Sequence, residues 1–191
     1  MDVWEREDWD FIHKAVIHAD GGILVSWNKE VLVVLETLIN RFYVEDSFGW
    51  ILIGVYSLHD AAHRITCWED LEQVHKAWPQ SWCVGGDWNV VSFPSERNGC
   101  HSLTVVMRSF LDFIATEGLV NPPLVGAKFI WSNNHENPSM SCIDKFLFSA
   151  CWDNHFAQVQ QFAISKSAPD HIFIFLHHAN RKPALLPSIL N

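Results

Sequence analysis

The chain has 191 residues, of which 49% are hydrophobic and 18% charged. This composition suits one domain of generous size or a fragment of a larger one, and it argues against disorder. Acidic residues outnumber basic residues, 22 against 13, which argues against nucleic-acid binding through bulk positive charge but does not exclude a nuclease that works through metal ions. The ten tryptophans are an unusual number, and each must either be buried or line a cleft.

Signals for membrane insertion, secretion and cross-linking are absent from the sequence. The best apolar run, residues 31–39, is interrupted by Glu36 and Thr37, so we expect no transmembrane helix and no membrane partner. The first eight residues contain no basic stretch followed by an apolar one, which argues against a signal peptide. The five cysteines are odd in number and form no C-x-x-C motif. We therefore expect no disulfide partner and an intracellular location, nuclear or cytoplasmic.

The first half of the chain alternates strand signals with one helix signal. Runs of apolar and β-branched residues predict four strands, at 23–27, 31–35, 41–45 and 50–56. The last two predict a hairpin around the turn at 46–49. Apolar residues at helical spacing then predict an amphipathic helix over 59–78, which ends before Pro79.

The second half of the chain continues the same alternation. Apolar runs predict five further strands, at 82–84, 129–131, 143–148, 159–164 and 171–176. A second amphipathic helix is predicted over 103–117, with Gly118 as its stop. Many strands with only two or three helices predict an α+β fold, in which sheets pack together and helices lie outside.

The strongest local signal for chemistry is the sequence Gly85-Gly86-Asp87-Trp88-Asn89. A carboxylate and a carboxamide two residues apart on an extended segment point to the same side. At a strand end they can face one substrate atom, where Asp87 accepts a proton or holds a cation and Asn89 donates to a developing oxyanion. A polar turn after a buried strand is the simpler alternative from spacing alone.

Three other positions carry weaker signals. Asp170-His171 precedes an apolar strand and can serve a metal ion or proton transfer. Asp144 lies in an otherwise apolar strand, where a carboxylate needs a partner or a wet face. Tyr56 ends the strand at 50–56, where most tyrosines are packing residues. Two tryptophans, Trp88 and Trp131, are the best candidates to line a cleft.

The order of these motifs resembles the endonuclease/exonuclease/phosphatase superfamily, and more narrowly the endonuclease domain of plant LINE-type (non-LTR) retrotransposons. The most specific block is residues 82–97, WCVGGDWNVVSFPSER. The stretches FIWSNN at 129–134 and NPSMSCIDKFL at 137–147 support it. The resemblance covers roughly residues 20–178, so a chance match of one motif does not explain it.

The resemblance implies a four-layered α/β sandwich, with two packed mixed β-sheets flanked by helices, and an active site on the loops at one end of the sheets. It implies that Asp87 orients or deprotonates the attacking water and that Asn89 steadies the phosphate. It also implies that Asp144 hydrogen-bonds His171, which contacts the scissile phosphate together with Tyr56. The remaining residue, Asp170, is implied to help place Mg²⁺ or Mn²⁺, and the implied partner is DNA, nicked for target-primed reverse transcription.

Two elements expected from this resemblance are not found in the sequence. One is a first strand with an active-site Asn, and the other is a strand whose Gln-Glu-Thr-like motif supplies the main metal-binding Glu. We therefore expect residues 1–20 to be an atypical N-terminal segment, 21–178 a partial domain that lacks its first strands, and 179–191 a tail. Metal binding is expected to be weakened. Smaller departures are Pro169, where Ser is usual, and Cys142, where Arg is common.

Three functional hypotheses remain open from the sequence. The first is a Mg²⁺-dependent endonuclease domain, impaired by the missing motifs. The second is a catalytically inactive remnant of a mobile element with no enzymatic role. The third is a phosphatase or phosphodiesterase of the same fold, because a fold does not choose its substrate.

Overall fold

The computed structural model describes residues 9–15, 22–28, 34–38, 41–44, 48–57, 60–156, 158–164 and 172–178. The strands in the first half are β1 (Trp9–Ala15), β2 (Gly22–Asn28), β3 (Val34–Leu38), β4 (Arg41–Val44), β5 (Trp50–Tyr56) and β6 (Ser81–Asp87). Those in the second half are β7 (Leu119–Val120), β8 (Leu124–Val125), β9 (Trp131–Ser132), β10 (Met140–Ser141), β11 (Asp144–Ser149), β12 (Val159–Ala163) and β13 (Ile174–His178). The helices are α1 (Ala61–Ala77), α2 (Val105–Thr116) and α3 (Ala150–His155).

A central sheet of six strands organises the fold, in the order β3-β4-β5-β6-β11-β7. Its strands β5 and β6 are parallel and are connected by α1, whereas β11 runs antiparallel to β6. A second sheet has the order β13-β12-β8, and two short antiparallel pairs are formed by β1 with β2 and by β9 with β10. The parallel pair brings the carboxyl ends of β5 and β6 to the same edge of the central sheet.

The two faces of the central sheet are covered differently. On one face, alternate residues of β5, β6 and β11 pack against α1 and α2. This core includes Ile51, Ile53, Trp68, Leu71, Val84, Phe110, Phe113 and Leu147. The intervening residues pack on the other face against α3 and the second sheet, and this core includes Trp50, Leu52, Cys83, Phe148, Trp152, Val159 and Leu176. The structure thus confirms the predicted α+β sandwich of mixed sheets flanked by helices.

The two long helices were predicted from local signals, and the structure explains their ends. The carboxylate of Asp60 caps α1 by accepting from the backbone N–H groups of Ala62, at 2.6 Å, and of His63, at 3.3 Å. The hydroxyl of Thr104 accepts from the N–H of Met107 at the start of α2. Beyond α2, Gly118 adopts φ +59°, the left-handed conformation that ends many helices. The hairpin of β4 and β5 is also confirmed.

Other elements differ from the sequence predictions. The strand predicted at 129–131 is reduced to the two residues of β9, and Ile130 is buried just outside it. Short strands β7 and β8, helix α3 and strand β1 were not predicted. Strands β1 and β2 form an antiparallel pair, and the predicted division of the chain at residues 20 and 21 stays a prediction. Within the described part of the chain, no helix has the length and apolar character needed to cross a membrane.

Candidate active site

Three of the predicted site residues lie in one row across the central sheet. Tyr56, the last residue of β5, is the register partner of Asp87 in the parallel pair β5–β6. Asp87, the last residue of β6, is in turn the register partner of Asp144, the first residue of β11. Register partners on neighbouring strands project to the same face of a sheet. Residues separated by 31 and 57 positions in sequence are therefore neighbours at the edge where β5 and β6 end.

Close approach of β5 and β6 depends on Gly86. This residue has φ +139°, and a Cβ atom added to it would collide with the carbonyl oxygen of Val55. A side chain at this position would therefore push the two strands apart. Glycine here keeps the strand ends together, and with them Tyr56 and Asp87.

Asn89 meets Asp87 through a turn rather than along an extended strand. Its φ of +50° is left-handed, and its backbone N–H donates to Oδ1 of Asp87 at 2.8 Å. Asparagine tolerates this conformation better than most residues, and a carboxylate that accepts from the N–H two residues on is a common turn motif. The convergence of Asp87 and Asn89 predicted from the sequence is observed, but the predicted extended backbone at Asn89 is wrong.

The carboxamide of Asn89 connects the ends of β5 and β6. Its Nδ2 donates to the carbonyl oxygen of Ser57 at 2.6 Å and lies 3.4 Å from Oδ2 of Asp87. The N–H of Ser57 donates to the carbonyl oxygen of Asp87 at 2.8 Å. With both carboxamide N–H groups directed at acceptors, Oδ1 is the atom of this side chain best placed to accept from a water or ligand. Donation to an oxyanion, as the sequence suggested, requires one of these bonds to be exchanged.

A cleft of about 990 Å³ opens beside these residues. Its lining includes Tyr56, Asp87 and Asn89, and its charged side chains among the described residues are Asp87, Arg64 and Arg97. Two arginines and one aspartate lie in this lining, although the whole chain carries a formal charge of −9. An anionic ligand such as a phosphodiester is therefore better tolerated here than the overall charge indicates.

The two candidate tryptophans have different positions. Trp131 lines the cleft and is half-buried. Trp88 is completely buried: its ring packs 5.2 Å from that of Phe110, and its Nε1 donates to the carbonyl oxygen of Lys145 at 3.0 Å. The prediction that Trp88 lines the cleft is therefore wrong. The side chain enters the core beneath α2, where Phe110 lies, while those of Asp87 and Asn89 border the cleft.

Of the other predicted site residues, the structure describes only Asp144. Asp144 is half-buried at the start of β11. Asp170 and His171 lie outside the described residues, so the pairing of Asp144 with His171 stays a prediction. Cys142 occupies the position where the resemblance leads one to expect Arg; burial raises the pKa of its thiol to about 11, so it supplies no charge near neutral pH.

Sequence reasoning did not identify Arg64 or Arg97 as cleft residues. Arg64 lies in the first turn of α1, where an arginine is ordinary, and Arg97 follows a short 3₁₀ turn at Pro94–Glu96. No local pattern connects either residue with Asp87. Arg97 belongs to the block at 82–97 that carries the resemblance, whereas no motif in the sequence includes Arg64.

Comparison with known proteins identifies the fold. Neither the family models nor the curated proteins include a match to the sequence. Among solved structures, the endonuclease domain of TRAS1, a telomere-specific non-LTR retrotransposon, is similar with a TM-score of 0.65 and 11% identity over 93% of this chain and 83% of that chain.

Two further structures agree with this match. The 3′ phosphatase NExo from Neisseria, bound to a product DNA hairpin, gives a TM-score of 0.59 with 12% identity over 93% and 85% of the two chains. A humanized TDP2 from D. rerio gives 0.51 with 12% identity over 82% and 68%. The chain thus has the endonuclease/exonuclease/phosphatase fold. At these identities the likeness shows the fold alone, and the activity must be argued from the site.

Proposed function

We propose that this chain is a nuclease-type phosphodiesterase, most like the endonuclease domain of plant LINE-type retrotransposons, which nicks DNA. The observation that supports this best is the row of Tyr56, Asp87 and Asp144 beside Asn89, at the edge of a cleft whose lining also includes two arginines. The same residues carry the sequence motifs on which the resemblance rests.

The roles follow from the chemistry of each group. Asp87 orients or deprotonates the attacking water, because its carboxylate borders the cleft and is held in place by Asn89. Tyr56 contacts the phosphate from the neighbouring strand end. Asn89 steadies the site through its carboxamide, and Asp144 orients His171, which contacts the scissile phosphate.

The proposed cofactor is Mg²⁺ or Mn²⁺. When bound, such an ion stabilises negative charge on phosphate oxygens. No group of three or more His, Cys, Asp or Glu side chains that could hold a metal exists in the described part of the chain. Asp170 is proposed to hold the ion directly, and the neighbouring carboxylates of Asp87 and Asp144 add negative charge that attracts it. Because Mg²⁺ is often held by one or two carboxylates with waters and substrate phosphates, this set fits a weakly held ion.

The comparisons add support without defining the substrate. The TRAS1 domain is described as an endonuclease of a retrotransposon, and NExo is described with a product DNA hairpin. We further propose that activity is low, because the Asn strand and the metal-Glu motif that the resemblance leads one to expect are not found in the sequence. An inactive remnant is the limiting case of this proposal.

Nicking of supercoiled plasmid tests the proposal. Wild-type protein with Mg²⁺ or Mn²⁺ should convert the plasmid to open circles, and EDTA should prevent this. Asp87→Asn, which keeps the shape of the side chain, should lose the activity, whereas Asp112→Asn, the same change on the exposed face of α2, should keep it. Equal nicking by both variants would remove Asp87 from the mechanism, and a cooperatively folding protein that neither nicks plasmid nor releases phosphate would establish the inactive remnant.

A phosphomonoesterase is the second candidate, favoured by the similarity to the 3′ phosphatase NExo. The carboxylate of Asp87 would then orient or deprotonate the water that attacks a terminal phosphate. Two hairpin DNAs separate the candidates, one with a 3′-phosphate and one with an intact strand. Release of inorganic phosphate from the first hairpin, with no nicking of plasmid, would replace the endonuclease with a phosphatase.

A further inference from the structure

We propose that Arg64 is a positioning residue, which holds the active-site turn at Asn89 in its working geometry from the first turn of α1. A catalytic effect of Arg64 rests on the proposed function, but the contact between Arg64 and Asn89 can be tested without any enzymatic activity. The connection joins two segments separated by 25 residues, and neither the motifs nor the comparisons assign a role to Arg64.

The contact that carries the proposal is a single hydrogen bond in a half-buried setting. Nη1 of Arg64 donates to the backbone carbonyl oxygen of Asn89 at 3.2 Å. Asp60, which caps α1, is one turn before Arg64 and attracts its guanidinium. The start of α1 is therefore fixed relative to β6, and Arg64 reaches from there to the turn.

Three separate groups of Asn89 are hydrogen-bonded, and Arg64 binds the third of them. The N–H of Asn89 is bound by Asp87, its Nδ2 by Ser57, and its carbonyl oxygen by Arg64. The left-handed backbone of Asn89 is intrinsically less favourable than a right-handed one. Without the bond to its carbonyl, Asn89 can relax toward a right-handed backbone, and this change in φ and ψ would move the carboxamide relative to the N–H that donates to Asp87.

The chemistry of arginine suits this task. Its planar group has five donors, so one N–H can bind the carbonyl of Asn89 while the others stay available for other acceptors. Burial lowers the pKa of Arg64 from its usual value, and Asp60 opposes this effect. A guanidinium nevertheless stays protonated at any working pH, so the contact to Asn89 is not a pH switch.

Two variants and a matched control test the proposal. Arg64→Met removes the donor and keeps an unbranched apolar stem, whereas Arg64→Lys keeps a charged donor. Arg108→Met is the control, because Arg108 is exposed on α2 and also donates to a backbone carbonyl, that of Leu103 at 3.3 Å. In a ¹⁵N–¹H spectrum, the side-chain amide pair of Asn89 is identified as the pair lost in Asn89→Asp.

The expected result is specific to Asn89. Arg64→Met should shift the side-chain and backbone amide signals of Asn89, Arg64→Lys should restore part of the shift, and Arg108→Met should leave them unchanged. In the nicking assay, Arg64→Met should lower kcat by about tenfold with KM changed by less than about twofold, because a misplaced group weakens mainly the transition state.

Two results would overturn the inference. One is an Asn89 spectrum that stays unchanged in Arg64→Met, whatever happens to nicking. The other is a rise in KM with constant kcat, which would show that Arg64 binds substrate and does not position Asn89. If the wild-type protein does not nick DNA at all, the proposed function fails, and the Asn89 signals alone decide whether Arg64 holds the turn.

Discussion

Asp144 lies directly opposite Asp87 in the antiparallel pair of β6 and β11, so two carboxylates occupy adjacent positions on one face of the central sheet. Like charges at directly opposed positions destabilise a sheet. Asp87 is also nearly buried, with 9% of its surface exposed, which reduces the help it receives from water. A bound cation would relieve this repulsion, and folding and metal binding should therefore be coupled.

The first prediction is that Mg²⁺ raises the unfolding temperature of the wild-type protein. At about ten times its dissociation constant, an ion that binds only the folded chain adds about 1.4 kcal/mol, or roughly 3–6 °C for a domain of this size. Asp144→Asn should lose most of this rise, whereas Asp112→Asn should keep it. Differential scanning fluorimetry with and without EDTA measures the effect, and equal rises in both variants would contradict it.

The sequence was sufficient where the determining signals are local. Apolar residues at helical spacing predicted α1 and α2, and Pro79 and Gly118 predicted where they end, because helix-stopping residues act within one turn of the chain. Two-residue strands such as β8 contain no periodic pattern, and their existence depends on a partner strand far away in sequence. Such strands could not be predicted from the residues themselves.

In the candidate site, too, local motifs were predicted from the sequence, whereas contacts between distant segments were not. Motif order identified Tyr56, Asp87 and Asp144, but only the register of three strands places them in one row. Trp88 was predicted to line the cleft, but period-two alternation directs its side chain away from that of Asp87 and into the core, where it is fully buried. Arg64 was missed because its contact with Asn89 depends on how α1 docks, which no local pattern encodes.

The second prediction concerns Gly86. Gly86→Ala should cost at least about 3 kcal/mol of the free energy of unfolding, because the new Cβ meets the backbone of Val55 and the φ of +139° is unsuited to alanine. Gly99→Ala is the control: Gly99 also has a positive φ, +67°, but nothing lies within 4 Å of its added Cβ. Its cost should be about 1–2 kcal/mol. Urea denaturation measures both, and equal costs would refute the steric explanation.

The third prediction concerns the reactivity of the five free thiols. Burial raises the pKa of Cys67 and Cys142 to about 11 and that of Cys83 further still. A pKa above the working pH leaves the thiol protonated, so at pH 8 only about one molecule in a thousand carries a thiolate at Cys67 or Cys142. Cys151 is exposed on α3 and should react with Ellman's reagent first.

The control for this prediction is Cys151→Ser, which should remove the fastest phase of labelling and leave the slow phases unchanged. Adding denaturant should make all the remaining thiols react together. Rapid labelling of Cys83 in the native protein would show that the interface between the central sheet and the second sheet opens readily, contrary to the packing of this residue beside Trp50 and Phe148.

A buried ion pair connects the segment after the active-site turn to β11. Lys145 is 1% exposed, and its ammonium donates to Oε2 of Glu96 at 2.8 Å and to the hydroxyl of Ser92 at 3.1 Å. It also lies 5.8 Å from the ring centroid of Phe110. This side chain is therefore on the helix-facing side of the sheet, opposite to its neighbour Asp144, and its charge depends on Glu96 for compensation.

The fourth prediction is that Glu96 and Lys145 show strong energetic coupling. Glu96→Gln should cost about 3 kcal/mol or more, because it leaves a buried ammonium without its counter-charge. Lys145→Met should cost less, since 23% of the Glu96 side chain is exposed and water can solvate the carboxylate that is left. The double variant should recover much of the loss, because an apolar residue of similar volume then fills a site that no longer holds a charge. Urea denaturation of the four proteins gives the cycle, and additive costs would mean that the pair contributes no coupling.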